Sequence, residues 1–497
     1  MPDQAPDDQA REFAAAFRGF LDWVHSAARE DNEVSALARD FVGPDGLHHS
    51  VVTRELPPFE HVNLQTAVDA WSARTGRAVE VRGIALPPHY GGLSLQLLVA
   101  GEALPPLRLT APALVDLPNG PGSTLGCLRL ALLLVTDQHG RYVVMIKGPS
   151  EHEPILQIEV AGLPTGQAQR LLAELDQLRA DLNVYRGHLL DVSLDPMGRV
   201  VLTFTGPPGV SKDDVVLPVT VLGRVERHAL GVASHRQALL AAGQHLKRGM
   251  LLYGPPGTGK THTTRYLLGQ MTSYTRLVLT GRSLIAVGAV TDLARALLPA
   301  VVVLEDVDLV AEERSHGPAS SPVLFDLLDA MDGAAPDADL LFLLTTNRAD
   351  LLEPALAARP GRVDVAVEIA LPDAPARKRL LTLYGQSVPL ALTKEDVNLA
   401  VERTDGTTAS FLKELIRRSV LESLHDDPAL TAVTGAHLAR ALDDLLDTAQ
   451  AVTRTLLGVG VDPADLPVGG ALPTGPGRGW MAHGRRGIPR RFVQYGG

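Results

Sequence analysis

Residues 254–261 read Gly-Pro-Pro-Gly-Thr-Gly-Lys-Thr and directly follow the apolar run Met250-Leu251-Leu252-Tyr253. A strand that ends this way has few folds open to it. Gly254, Gly257 and Gly259 let the backbone curl so that its N–H groups point inward, with Pro255, Pro256 and Thr258 between them. A helix is predicted from about Lys260, and its N-terminal partial positive charge adds to the cradle. That cradle suits a polyphosphate. Lys260 is expected on the β- and γ-phosphates, and the Thr261 hydroxyl on Mg²⁺, with His262 in the same first turn. The ligand class read from these residues is a nucleoside triphosphate with magnesium. A near-copy upstream, Gly-Pro-Pro-Gly-Val-Ser-Lys at 206–212, has Ser211 for the last glycine and Asp213 where a hydroxyl is needed. An aspartate there repels phosphate, so that stretch is read as an ordinary turn.

At 497 residues the chain is long enough for two to four domains. Its single cysteine, Cys127, excludes an intramolecular disulfide and a cysteine-based metal site. The net charge of −11 argues against nucleic-acid binding by the chain as a whole, because neutralising phosphates takes a basic surface. The acidic start, Met-Pro-Asp-Gln-Ala-Pro-Asp-Asp, does not read as a signal peptide, and no apolar run approaches the roughly 18 residues of a membrane span. A soluble cytoplasmic protein, without membrane insertion, is the expectation.

Residues 1–205 are expected to form an N-terminal α+β region that serves as an adaptor for partners. Phe13, Phe17, Phe20, Leu21 and Val24 recur at helical spacing and are expected to pack onto that region. A helix is predicted over Leu64–Ala73, strands over Leu93–Ala100, Leu128–Val135 and Tyr142–Ile146, and a helix carrying Leu171, Leu175, Leu178 and Leu182. A hairpin over Leu189–Leu194 and Val200–Phe204 closes the region. His48-His49 and His152-Glu153 are isolated and read as surface residues.

From 215 to 372 strands alternate with helices, which predicts an α/β domain: a parallel sheet of the P-loop type with helices on both faces. Its buried strands are Met250–Tyr253, Arg276–Leu279, Ala300–Leu304 and Leu340–Leu344. Residues 373–457 read as a small all-helical lid, with Thr393-Lys394-Glu395-Asp396 as a capping box. Residues 458–497 read as a disordered tail. Trp480, Arg485-Arg486, Arg490-Arg491, Phe492 and Tyr495 interleave basic and aromatic residues there, a pattern that suits an acidic partner, nucleic acid, or plain solubilisation.

Val301-Val-Val-Leu-Glu305-Asp306 is an apolar strand ending in acids, downstream of the phosphate loop, where acids hold Mg²⁺ and orient water. Leu340–Leu344 then leads into Thr345-Thr346-Asn347-Arg348. Leu352-Glu353-Pro354-Ala355-Leu356, Arg359-Pro360-Gly361-Arg362-Val363-Asp364 and Leu371-Pro372-Asp373 follow. In these motifs and their order the chain resembles the AAA family of ATPases over roughly 215–450.

The resemblance implies roles residue by residue. Lys260 and Thr261 match the phosphate and magnesium residues, and Glu305-Asp306 the acidic pair, normally Asp then Glu. Asn347 matches the sensor that positions water, and Arg359 and Arg362 match arginine fingers that act on the neighbouring subunit's site. Ala409, within Gly406–Leu412, is the nearest match to the lid residue beside adenine. Fingers acting in trans imply a ring homo-oligomer, most often a hexamer, with ATP and Mg²⁺ as cofactors. The implied activity is ATP hydrolysis coupled to the remodelling or chaperoning of a protein substrate whose identity the sequence does not give.

Three departures shape that reading. The acidic pair is reversed, so the base candidate Asp306 is one methylene short, and general-base catalysis depends on reach. The stretch matching the threading members' pore loop is Ile285-Ala286-Val287-Gly288, with Ala286 in place of the aromatic. The helix from about Thr291 to Leu298 is short. The reversed pair and the segment before it are similar to the subgroup containing the mitochondrial AAA chaperone that exports the folded Rieske protein. An ATP-gated assembly scaffold with little hydrolysis, and a nucleic-acid motor using the tail, stand as the other readings.

Overall fold

The computed structural model describes residues 13–20, 32–87, 92–101, 104–150, 153–308, 335, 337–349 and 363–447. Two seven-stranded sheets and a helical lid account for most of them.

The first sheet is antiparallel, in the order β1-β7-β6-β5-β2-β3, with β4 also paired to β5. Its strands are β1 (Val52–Leu56), β2 (Ala78–Ala85), β3 (Arg108–Thr110), β4 (Ala113–Gly120), β5 (Ser123–Asp137), β6 (Gly140–Lys147) and β7 (Leu156–Ala161). The centre of β5 and β6 is apolar on consecutive residues, which predicts burial on both faces. Leu133, Val135, Val144 and Ile146 face helices His61–Ser72 and Thr165–Asp181; Leu132, Leu134, Val143 and Met145 face helices Glu33–Gly46 and Leu95–Ala100.

The expected strand at Leu93–Ala100 is instead a helix over Leu95–Ala100. Its burial recurs at Leu95 and Leu98, one helical turn apart, and the Ser94 hydroxyl accepts the Leu97 N–H at 3.3 Å. Leu, Gln and Ala favour a helix once a cap is present. The Thr165–Asp181 helix buries Leu171 and Leu175, but Leu182 sits at its C-cap and is exposed. Residues 13–20 are helical, with Phe13, Phe17 and Phe20 71%, 50% and 55% exposed; Leu21 and Val24 lie outside the described residues.

The second sheet runs β14-β10-β13-β12-β11-β8-β9. It comprises β8 (Leu189–Leu194), β9 (Val200–Thr205), β10 (Arg248–Tyr253), β11 (Thr275–Thr280), β12 (Ala300–Glu305), β13 (Leu340–Thr346) and β14 (Val365–Glu368). All pairings are parallel except the β8–β9 hairpin. That hairpin, expected to close the N-terminal region, is hydrogen-bonded to β11 and continues the second sheet, so the boundary drawn at 205 falls before it instead. Leu190 and Val192 join the core of β11 and β12.

The short turn at 183–188 stitches the two sheets together. The Val184 N–H donates to Asn63 Oδ1 at 2.9 Å and the Tyr185 hydroxyl to Phe59 O at 2.6 Å. On the other side the Gly187 N–H donates to Thr275 Oγ1 at 3.0 Å, and the buried Arg276 guanidinium caps Gly187 O at 3.0 Å. At the start of β10, Asp339 (1% exposed) accepts from Arg248 at 2.9 Å and from the Tyr274 hydroxyl at 2.6 Å.

The lid consists of helices Ala374–Tyr384, Lys394–Arg403, Ala409–Asp426 and Gly435–Leu446 around a core centred on Phe411, Leu412 and Leu415. The Thr393–Asp396 capping box is present. The lid is not purely helical: Leu390–Ala391 and Val433–Thr434 pair as two short parallel strands. No helix among the described residues is long and apolar enough to cross a membrane.

Candidate active site

Strand order builds the site. β13 lies between β10 and β12, with Tyr253 opposite Thr346 and Leu304 opposite Leu344. The loop after β10, the acids ending β12 and the residue after β13 therefore share the carboxyl edge of one parallel sheet, where ligands of open α/β sheets bind.

The loop geometry depends on its glycines. Gly254 has φ +145°, and a Cβ on it would lie 2.3 Å from the carbonyl oxygen of Ile369, which continues the β14 ladder. Gly257 has φ +75°, and its Cβ would lie 2.8 Å from Ser410 Oγ of the lid. Thr258 Oγ1 donates to Pro255 O at 2.9 Å, and Pro256 is exposed. Gly259 is the left-handed N-cap of the helix Lys260–Gln270, so the first-turn N–H groups face the loop. Lys260 is buried, and its Nζ donates to Gly254 O at 2.8 Å and Pro255 O at 2.9 Å. Burial pushes its pKa down to about 8, against the pull of Asp306 and Asp308. An ammonium held by loop carbonyls, beside a cradle kept free of side chains, fits a polyphosphate.

Thr261 lies close enough to Glu305 to lower the pKa of its carboxyl, and together they would offer a hydroxyl and a carboxylate as divalent-cation ligands. The Glu305 pKa is raised, first by burial and then by neighbouring Asp306, with Arg265 opposing. Asp306 is also raised, by burial and then by Asp308, with Lys260 opposing. Its backbone is left-handed, with φ +52°, and its N–H donates to Thr345 Oγ1 at 3.0 Å. Asn347 Nδ2 points to Asp306 Oδ1 at 3.4 Å. The loop, Lys260, Thr261, Glu305, Asp306 and Asn347 thus form one constellation.

Behind the loop opens a cavity walled by Val215, Leu217, Val221, Leu380, Tyr384 and Ala409. Its apolar sides suit a flat heteroaromatic base. His262 lines it and shares a hydrogen bond of 3.2 Å with Asp214 O. Ser410, next to Ala409, donates from its N–H to Gly257 O at 3.1 Å, so the lid touches the phosphate loop directly.

The sequence reading did not single out Asp308. It is buried, and its Oδ1 accepts from Thr346 Oγ1 at 2.9 Å and from the Asn347 N–H at 3.1 Å. The available signal was a third acid two residues past the pair. Arg359, Arg362, the Leu352–Leu356 motif and the tail lie outside the described residues. In the stretch matching the pore loop, Ile285 is 59% exposed while Val287 is buried. The helix there is Val287–Ala296.

Comparison with known proteins agrees with this geometry. The profile of the family described as "ATPase family associated with various cellular activities (AAA)" matches residues 250–371, from β10 to just beyond β14. Residues 250–371 form an AAA ATPase domain. Among AAA relatives, the ATPase family gene 2 protein homolog A of Homo sapiens is 26% identical over 429 residues, 84% of this chain and 45% of the relative. The ATPase family gene 2 protein of Schizosaccharomyces pombe is 29% identical over 233 residues, 45% of this chain and 28% of the relative. The ATP-dependent zinc metalloprotease FtsH 2 of Sphaerobacter thermophilus is 34% identical over 218 residues, 41% of this chain and 32% of the relative. The chain spans less than half the length of each of these AAA relatives.

Proposed function

We propose that this protein binds ATP with Mg²⁺ and hydrolyses it within a ring homo-oligomer, a hexamer, to remodel or chaperone a protein partner. The observation that carries the ATPase part is the convergence of Lys260, Thr261, Glu305, Asp306 and Asn347 at one sheet edge. Bound ATP would supply the phosphoanhydride to be cleaved, and the metal would offset its charge. On the protein side, Lys260 would leave its loop carbonyls for the phosphates. Thr261 and Glu305 would hold the cation. Asp306 would take the proton of the attacking water, and Asn347 would orient that water and the Asp306 carboxylate.

The ring part rests on the family's habit of oligomerising and on the motif match of Arg359 and Arg362. Arginine fingers are worth on the order of 10³–10⁵ in rate, so a monomer should be nearly inactive. The N-terminal sheet is proposed as the partner-binding adaptor. A cytoplasmic home is proposed from the lone thiol, Cys127, which is buried.

The test is steady-state ATPase activity against protein concentration, with mass measured with and without ATP, for wild type, Lys260→Ala and Arg362→Ala. Turnover should rise with assembly and collapse in both variants. Full activity in a strictly monomeric preparation would sink the trans-finger reading.

A second reading, an ATP-gated scaffold with little hydrolysis, is favoured by the short base Asp306 and by Ala286 in place of an aromatic grip. Its signature is ATP-dependent assembly without phosphate release. A nucleic-acid motor is the weakest alternative. ATPase activity indifferent to DNA and RNA, with unchanged affinity for both after truncation at Leu457, would remove it.

A further inference from the structure

The stretch after β12 is laced to the end of β13. The Asp306 N–H donates to Thr345 Oγ1 at 3.0 Å, and the Val307 N–H to Thr345 O at 3.0 Å. Asp308 then closes the seam, accepting the Thr346 hydroxyl at 2.9 Å and the Asn347 N–H at 3.1 Å. It is only 6% exposed, and Thr346 is fully buried. A carboxylate so buried is held in place only through hydrogen bonds, and a bond from a backbone N–H to a charged acceptor is among the stronger ones.

The place of this bond matters. Asn347 is the first residue beyond β13, where ladder pairing ends and a backbone N–H loses its strand partner. Asp308 takes that N–H and so fixes the Asn347 Cα. The side chain of Asn347 in turn points its amide at Asp306. Misplacing a reacting group by about 1 Å can cost on the order of 10²-fold in rate.

We propose that Asp308 is a positioning residue: it fixes Asn347, and through Asn347 the Asp306 carboxylate, without itself touching nucleotide or metal. Its effect on rate rests on the hydrolysis reading above; its effect on the backbone of Asn347 does not. Asparagine at 308 keeps an acceptor oxygen for both donors and loses only the charge. Alanine loses the acceptor.

The test uses the full chain and compares Asp308→Ala, Asp308→Asn, Asn347→Ala and the Asp308→Ala/Asn347→Ala double variant. Two readouts are taken: kcat and KM for ATP, and residue-resolved hydrogen exchange of the Asn347 amide in ligand-free protein. Asp308→Ala should lower kcat about ten- to a hundredfold with KM little changed, the size typical of supporting groups behind a reactive centre. The double variant should be no slower than Asn347→Ala alone, because the two act as one unit. The Asn347 amide should lose protection in Asp308→Ala and keep it in Asp308→Asn. Multiplicative losses in the double variant, or unchanged protection in Asp308→Ala, would overturn the proposal. Equal damage from Asp308→Asn would also overturn it, showing that the charge acts directly on metal or phosphate. If wild type turns over no ATP, the hydrolysis reading falls, while the exchange comparison still decides whether Asp308 holds Asn347. Should Asp308→Ala fail to fold, Asp308→Ser, whose hydroxyl is too short to reach both donors, takes its place.

Discussion

The left-handed backbone at Asp306 makes a prediction with a sign that runs against the ordinary rule. Asp306→Gly and Asp306→Ala remove the same carboxylate, the same repulsion from Asp308 and the same contact with Asn347, and differ only in the Cβ. At an ordinary position alanine is the more stable by about 0.4–1 kcal/mol, because glycine leaves the unfolded chain freer. At φ +52° the Cβ meets the carbonyl, which costs L residues roughly 1–2 kcal/mol. The difference leaves glycine ahead by up to about 1.5 kcal/mol. The assay is the opening free energy of backbone amides in β12 and β13, read by hydrogen exchange in ligand-free protein, which avoids treating several domains as one transition. Alanine equal to or more stable than glycine would refute the argument. If the sign holds, it also accounts for the reversed acidic order. Aspartate enters this backbone region more readily than most residues, whereas glutamate bears the full cost. The Glu305→Asp/Asp306→Glu exchange should therefore lose stability and gain no turnover, despite its longer reach.

Lys260, with its pKa near 8, binds fewer protons folded than unfolded between about pH 8 and 10.5. Stability should therefore rise with pH across that window, and Lys260→Met, followed by denaturant titration at several pH values, should flatten the rise. Phosphates beside Lys260 should raise its pKa again, so ATP binding near pH 8 should take up protons, visible as calorimetric heats that depend on the buffer. Gly257→Ala should weaken nucleotide binding sharply without unfolding the chain, because a Cβ there strains a left-handed turn and collides with Ser410; equilibrium binding of a fluorescent nucleotide checks it. Asp339→Ala should destabilise the core by about 3–5 kcal/mol, because it strands the buried Arg248 guanidinium; a small change in exchange protection along β10 would count against that.

The parts of the fold that sequence predicts well are those with one physical solution. β10, β12 and β13 are continuous apolar runs, which only a strand covered on both faces can accommodate, and the glycine spacing at 254–259 leaves the backbone little choice. The capping box at Thr393 is local chemistry and equally readable. The misassigned elements depended on partners. The 189–205 hairpin alternates apolar and polar residues in a way compatible with either sheet, and only pairing with β11 decides it. Leu95–Ala100 has the composition of either element, and its helix follows from the Ser94 cap and the Leu95 N–H bonded to buried Glu159 at 2.9 Å. Asp308 was hidden because a third acid in an acidic stretch reads as solvation until the fold buries it. The positions of Lys260, Thr261, Glu305, Asp306 and Asn347 were legible as a set because each closes a buried strand or its loop.

The 183–188 turn has a mechanical consequence. Its bonds to Thr275 and Arg276 grip the foot of β11, the strand whose far end, Thr280, sits opposite Glu305. Its bonds to Phe59 and Asn63 grip the helix seated under the first sheet. β11 cannot slide or tilt without either breaking this clasp or carrying the N-terminal sheet with it. A displacement of β11 at the carboxyl edge of the second sheet would thus reach the first sheet through a short seam of hydrogen bonds.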